Sequence, residues 1–384
     1  MILYLSRGIG WSYGHVVKPL LFRQSPDVVH ERMVKSARIF GAFTPAVWLM
    51  RRVLRTNAAP LLSQTIHGIP FPNPVGLSAG LDKNAELLPL LPAIGFGFGT
   101  VGSVTHQVCV GNPRPWFYRL PRSKSLVVHV GLANHGAAKV IERLNHYHTS
   151  RLQDFPVVVS VAKTNNPTTC NDTEAIADYI GSLKLLQNEP RAAVLEINIS
   201  CPNTYGGEPF TDPVRLDALL AAVDALHITK PVWVKMPINH TWPEFNALLK
   251  IIIKHRVQGV TIGNLSKQRS EIPSEELPSQ VKGNLSGLPT QALSDNLIAK
   301  TYGAYGSALT IIGVGGIFTA EDAYRKITLG ASLVELITGL IYTGPQLPGQ
   351  LNRDLAKLAA QDGFKNIAEA VGSGLHVQNG KKPV

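Results

Sequence analysis

The chain has 384 residues, 45% of them hydrophobic and 16% charged, which excludes a disordered or collagen-like polymer and leaves room for one large core plus an appendage. Lys and Arg outnumber Asp and Glu by 37 to 26, a formal charge of +11. Such an excess points to an anionic partner, whether nucleic acid, a membrane surface or an acidic small molecule.

The excess is concentrated at the start. Residues 1–60 hold Arg7, Lys18, Arg23, Arg32, Lys35, Arg38, Arg51, Arg52 and Arg55 against only Asp27 and Glu31, so +7 of the +11 lies there. Trp11, Tyr13, Val16, Leu20, Phe22, Val28, Met33 and Phe40 interleave with these charges at roughly helical spacing, the pattern of helices lying on an anionic membrane surface. No uncharged apolar run is long enough to span a bilayer, and no small-residue cleavage site follows the short hydrophobic start. The expectation is a cytoplasmic, peripheral membrane protein with a helical segment over 1–60. Basic residues mixed with aliphatics and no recognition module argue against nucleic acid. Cys109, Cys170 and Cys201 form no C-x-x-C pair, which argues against a metal site or a disulfide framework.

From residue 74 onward short apolar runs recur at Val75 to Ala79, Phe98 to Gly102, Val157 to Val161, Val194 to Asn198, Val232 to Met236, Gly259 to Gly263, Leu309 to Gly313 and Leu333 to Ile337. Between them lie helical patterns such as Leu216 to Leu226 and Phe245 to Ile253. Eight strand–helix units predict an α/β fold, a (β/α)8 TIM barrel over 61–375, with a doubly wound open sheet as the alternative. Asn57 to Pro60 reads as a linker, Leu347 to Ala360 as the last long helix, and 376–384 as a mobile tail.

In a barrel the chemistry sits just after the strands, and polar residues cluster there. Lys83 follows the first run, Ser103 the second, Lys163 the third, Asn198 to Asn203 the fourth and Asn264 the sixth, while Lys235 ends the fifth. Gly313-Val314-Gly315-Gly316 and Thr338-Gly339 follow the seventh and eighth, where barrels commonly hold phosphate on backbone amides. Asn198, Asn203 and Cys201 share one loop, so two amides and a thiol face one ligand, with Cys201 as base or nucleophile. Cys109 and Cys170 read as structural. Ala79-Gly80 admits a flat ring close to the backbone, and Lys83, Lys163 and Lys235 are expected to converge on the mouth around an anionic ligand.

Taken in order, Asn73 to Lys83, Asn112 to Leu120, Asn198 to Thr204, Leu285-Ser286-Gly287, Ile311 to Ile317 and Asp362-Gly363-Phe364 resemble dihydroorotate dehydrogenase. Lys18 to Phe22 and Asp27 to Glu31 are similar to the helical appendage of its membrane-associated, quinone-using class. The resemblance implies an FMN barrel that oxidises dihydroorotate to orotate in pyrimidine synthesis: a base removes the C5 proton, hydride leaves C6 for the flavin, and a quinone entering between the N-terminal helices takes the electrons. It makes Cys201 the base and Lys83, Asn198, Asn203 and Asn264 the substrate contacts. Around FMN it puts Ala79, Gly80, Ser103, Ser160, Lys235, Ser286, Gly287, Gly315, Gly316, Thr338 and Gly339, and along the quinone passage His30 and Arg119. The chain departs from that pattern at Cys201, where the membrane class carries serine and the soluble classes cysteine. It also departs at Val128, Leu265 and Ile337, which replace an asparagine, a hydroxyl residue and a tyrosine. A thiol needs only modest perturbation from its ordinary value of about 8.5 to serve as a base. The departures leave two other readings open: a divergent FMN oxidoreductase for another cyclic acid or enone, and a flavin-binding membrane protein with vestigial catalysis.

Overall fold

The computed structural model describes residues 2–55, 60–147, 152 and 154–378, so 57–59 of the expected linker and 379–384 of the expected tail lie outside the described residues. Eight strands alternate with helices: β1 (Val75–Leu77), β2 (Phe98–Val104), β3 (Val157–Val161), β4 (Ala192–Asn198), β5 (Val232–Met236), β6 (Gly259–Ile262), β7 (Thr310–Val314) and β8 (Leu333–Leu336). Each pairs in parallel with the next, and β8 returns to β1 through Val334 opposite Val75 and Leu336 opposite Leu77. That closure excludes the open sheet. These strands are rich in Val, Ile and Leu because a parallel barrel buries both faces of each strand.

The register sorts the inward side chains into layers, each drawn from alternate strands. At the bottom, Phe98, Val194 and Leu333 lie beside Gly259, and Val158, Trp233 and Ile312 come next beside Gly76; these side chains form a core of their own with Phe71. The two glycines make the space: a Cβ on Gly76 would stand 2.2 Å from the Phe98 ring, and one on Gly259 2.8 Å from Trp233. Phe71 comes from a hairpin, Gln64–Ile66 and Ile69–Phe71, and meets Phe98 edge-on at 5.4 Å. Above them the interior turns polar. Thr100, Glu196, Thr261 and Glu335 form one layer from β2, β4, β6 and β8, and Ser160 and Lys235 follow from β3 and β5, all buried.

Outside the barrel, the two helical patterns appear as helices Pro213–Asp224 and Trp242–Ile252. Their starts are set by capping: Asp212 accepts from the amides of Val214 and Arg215, and Thr241 with Glu244 forms a capping box. Beside the barrel mouth lies an antiparallel sheet of Phe117–Leu120, Ser125–Val128 and Asn284–Gly287 that the sequence reading did not foresee.

The N-terminal segment is helical: α1 (Ile2–Ser12), a π-helical turn at Tyr13–Val17, α2 (Lys18–Phe22), α3 (Pro26–Ala42) and α4 (Thr44–Leu54). Proline at the first turn of α2, α3 and α4 suits a position whose amide needs no helical partner. The segment is tied to the barrel side by hydrogen bonds, with Tyr13 Oη donating to Ile341 O at 2.6 Å and the Trp116 amide donating to Asp27 at 3.0 Å. Its outer surface is left apolar, with Trp11, Phe43 and Trp48 63%, 60% and 59% exposed. Among the described residues no helix is long and apolar enough to cross a membrane.

Candidate active site

One cavity of about 1300 Å³ runs from between α1, α3 and α4 to the carboxyl ends of the barrel strands. Its outer part is walled by Leu5, Ile9, Val29, Met33, Phe40 and Met50, and its inner end by Lys83, Cys201, Lys235 and the strand-end loops. Of the residues expected at the site, Ala79, Gly80, Ser103, Asn198, Asn203 and Asn264 also face this space, as do Ser286 and Thr338. His30 and Arg119 lie on its wall where appendage and barrel meet. Ser160 sits just behind, its hydroxyl 3.0 Å from that of Ser103. Gly287, Gly315, Gly316 and Gly339 are outside the lining. Gly315 and Gly316 hold φ of 113° and 68° after β7, and a Cβ on Gly316 would stand 2.3 Å from that of Gln291. That turn therefore packs against Thr290 and Gln291 with no room for side chains.

The expected convergence of three lysines does not occur. Lys163 is buried and donates to the carbonyl of Tyr205 at 2.7 Å, bracing the Cys201 loop from behind instead of reaching the cavity. The reason is that its ammonium is held by the Tyr205 carbonyl, and neither residue lines the cavity. Lys83 and Lys235 remain. Lys83 contacts His30 Nε2 at 3.3 Å and lies over the Phe117 ring at 5.8 Å. Burial pushes the Lys83 ammonium down to about 8, and burial together with Lys83 and Arg114 pushes His30 down to about 3, so His30 is a neutral acceptor for it. Asp82 holds the Lys83 loop by accepting from the amides of Glu86 and Leu87 at 2.7 and 2.9 Å.

The amides are fixed by internal bonds. Asn198 donates to Ser103 Oγ at 2.7 Å and accepts from Ser200. Asn203 donates to the carbonyl of Val128 at 2.9 Å and accepts from Asn284 at 2.9 Å. Asn264 donates to Ser200 at 2.6 Å and accepts from the amide of Leu265 at 2.9 Å. Val128 and Leu265 themselves turn toward the cavity as apolar wall.

Cys201 is half-buried at the end of this wall. Burial pushes its thiol up to about 11, partly opposed by the amide of Asn203 and the charges of Lys163 and Lys235. This corrects the expected modest perturbation: desolvation outweighs the two lysines. Cys109 is buried and donates to Gly131 O at 3.4 Å, whereas Cys170 is exposed. Arg119 is held by the appendage, donating to Gln24 O at 2.7 Å and stacking over Phe22 at 4.6 Å.

A family model described as Dihydroorotate dehydrogenase matches residues 61–358. The chain belongs to the dihydroorotate dehydrogenase family. A dihydroorotate dehydrogenase (quinone) of Deinococcus deserti is 36% identical over 372 residues, covering 94% of this chain and 99% of that one. One from a Synechocystis strain is 33% identical over 362 residues, covering 91% and 93%. The crystal structure of DHODH from Eimeria tenella in complex with ferulenol matches with a TM-score of 0.77 at 27% identity, covering 90% of this chain and 95% of that one. The dihydroorotate dehydrogenase motifs in the sequence contribute much of the cavity wall, Phe117 included, but cover neither Asn284, which holds Asn203, nor the Glu196–Glu335 layer. The signal for that layer in the sequence is a charged residue inside an apolar strand, Glu196 between Leu195 and Ile197 and Glu335 between Val334 and Leu336.

Proposed function

We propose that this chain is an FMN-dependent dehydrogenase that oxidises dihydroorotate to orotate and passes the electrons to a membrane quinone, a step of pyrimidine synthesis. The observation that carries the reading is the single cavity joining an apolar passage between exposed helices to a thiol, two lysines and three amides. FMN suits the residues present. The polar floor of Ser160 and Lys235, the close backbone at Gly80, and the side-chain-free turn at Gly315 and Gly316 fit a planar ring with an anionic tail. Ala79, Gly80, Ser103, Ser160, Lys235, Ser286, Gly287 and Thr338 are the residues that would hold the ring, and Gly315, Gly316 and Gly339 its phosphate. When bound, FMN supplies the two-electron acceptor that the oxidation requires.

The chain's own residues do the rest. Lys83 binds the substrate carboxylate, and Asn198, Asn203 and Asn264 orient the ring through geometry already fixed by their internal bonds. Cys201 Sγ removes the C5 proton. His30 and Arg119 flank the passage by which a quinone approaches from α1 and α3. The experiment is anaerobic mixing of the FMN-loaded protein with dihydroorotate: bleaching of the flavin is expected, and a flavin left oxidised contradicts the substrate.

Val128 faces the cavity without a polar atom on its side chain. Val128→Asn is expected to tighten orotate binding about tenfold, the equivalent of one added hydrogen bond of about 1.4 kcal/mol. Calorimetric titration of wild type and variant measures this, and equal affinities would mean the ligand does not reach residue 128.

We also propose that α1 to α4 rest on an anionic membrane. Their exposed Trp11, Phe43 and Trp48, with Arg32, Arg51 and Arg52 nearby in the sequence, give apolar insertion plus attraction to headgroups. Phe43→Glu combined with Trp48→Glu should weaken partitioning into vesicles containing phosphatidylserine by at least about tenfold in a flotation assay. Unchanged flotation would move the docking face elsewhere.

A further inference from the structure

The layer beneath the mouth holds two carboxylates, Glu196 on β4 and Glu335 on β8, both fully buried. Thr261 donates its one hydroxyl proton to Glu196 Oε2 at 2.6 Å, and Thr100 donates its own to Glu335 Oε1. Each threonine is then spent, and one oxygen of each carboxylate, Glu196 Oε1 and Glu335 Oε2, is left buried with no partner. The indole N–H of Trp233, one layer below, also lacks a partner, so it does not serve these oxygens. Two unsolvated acceptors of like charge in one buried layer are costly, and a proton on one carboxyl removes a charge and turns one bare acceptor into a donor.

We infer that Glu196 and Glu335 share one exchangeable proton and, with Lys235 above them, form a proton-linked charge unit that takes up a proton when negative charge develops on the ligand at Lys235. The inference rests on the FMN reading of the cavity for the identity of that ligand. The neighbours of the pair are few in kind: Thr100 and Thr261 within the layer, Ser78, Ser160 and Lys235 above, and Gly76, Val158, Trp233 and Ile312 below. Among these Lys235 alone is charged, and its ammonium contacts Ser78 Oγ at 3.3 Å. With both carboxylates ionised the unit carries one net negative charge, and with the shared proton it is neutral. Burial and the nearby Glu196 push Glu335 up to about 7, which makes the proton available near neutrality. Were the bound ring reduced by two electrons from an external reductant, the negative charge beside Lys235 would be met by one solvent proton taken up on the carboxylate pair.

Glu335→Gln separates this from a structural role. The amide keeps an oxygen for Thr100 and carries no charge, imitating the protonated carboxyl permanently. The FMN-loaded protein is reduced anaerobically with dithionite near pH 8 in weak buffer containing an indicator dye, with free FMN as the reference for protons released by the reductant. The wild type should take up more protons per flavin than E335Q, by up to one, and equal uptake overturns the inference. A second measurement needs no flavin. Because Glu335 is raised in the folded chain from 4.5 to about 7, the folded state binds the extra proton across that window, and wild-type stability falls as pH rises through it. The wild-type unfolding constant should therefore grow about a hundredfold more than that of E335Q over this window, and parallel pH profiles contradict the shared proton. If neither protein binds FMN, the functional reading fails while the stability comparison still decides the proton.

Discussion

Cys201→Ala is expected to slow reduction of the bound flavin by dihydroorotate by about three orders of magnitude while leaving the flavin in place, the usual effect of removing a positioned general base. The thiol lines the cavity and its one interacting donor is the backbone amide of Asn203 in its own loop, which the alanine variant keeps, so flavin binding and chemistry should separate. The same residue sets the pH dependence. A base works only when deprotonated, and a thiol pushed up to about 11 is mostly protonated at neutral pH. At saturating dihydroorotate, whose carboxylate keeps Lys83 charged, the rate in the wild type should therefore climb about tenfold per pH unit from 7 to 9, and this slope should vanish in the alanine variant. Stopped-flow absorbance under anaerobic conditions reads both. Full-rate reduction in the variant would assign the proton to another group.

The second large effect is on stability and comes from the opposite end of the barrel. Trp233→Ala removes a fully buried indole from a layer whose neighbours, Val158 and Ile312, are rigid strand residues with little freedom to collapse. The cost expected is about 3–5 kcal/mol by urea denaturation. Trp233→Phe should cost far less, because the indole nitrogen has no partner to lose. A small loss for Trp233→Ala would mean that the floor is not the close-packed layer described. Since this layer lies two levels below the ligand, FMN affinity of any folded variant should change little.

The barrel was legible because its strands are short apolar runs separated by helix-length intervals, and all eight expected runs are strands. The sheet of Phe117–Leu120, Ser125–Val128 and Asn284–Gly287 was not, because its pairing joins segments distant in the chain and no local period reports that. Much of the site was visible through strand-end position. Lys163 shows the limit of that rule: following a strand places a residue near the mouth, but the Tyr205 carbonyl captures its ammonium before it reaches the cavity. Cys201 shows another limit. Its identity was plain in the sequence, while the burial that raises its thiol exists only once the loop is folded over Lys163. The carboxylate layer was readable in principle, since Glu196 lies between Leu195 and Ile197 and Glu335 between Val334 and Leu336.

The central claim is that one cavity carries electrons from dihydroorotate at Cys201 to a quinone entering between the helices. The most direct measurement is a two-step anaerobic titration of the FMN-loaded protein, first with dihydroorotate and then with a short-chain ubiquinone analogue. Bleaching of the flavin absorbance in the first step and its full return in the second is the predicted result. A flavin that dihydroorotate leaves oxidised, or that the quinone fails to reoxidise once reduced, would contradict it.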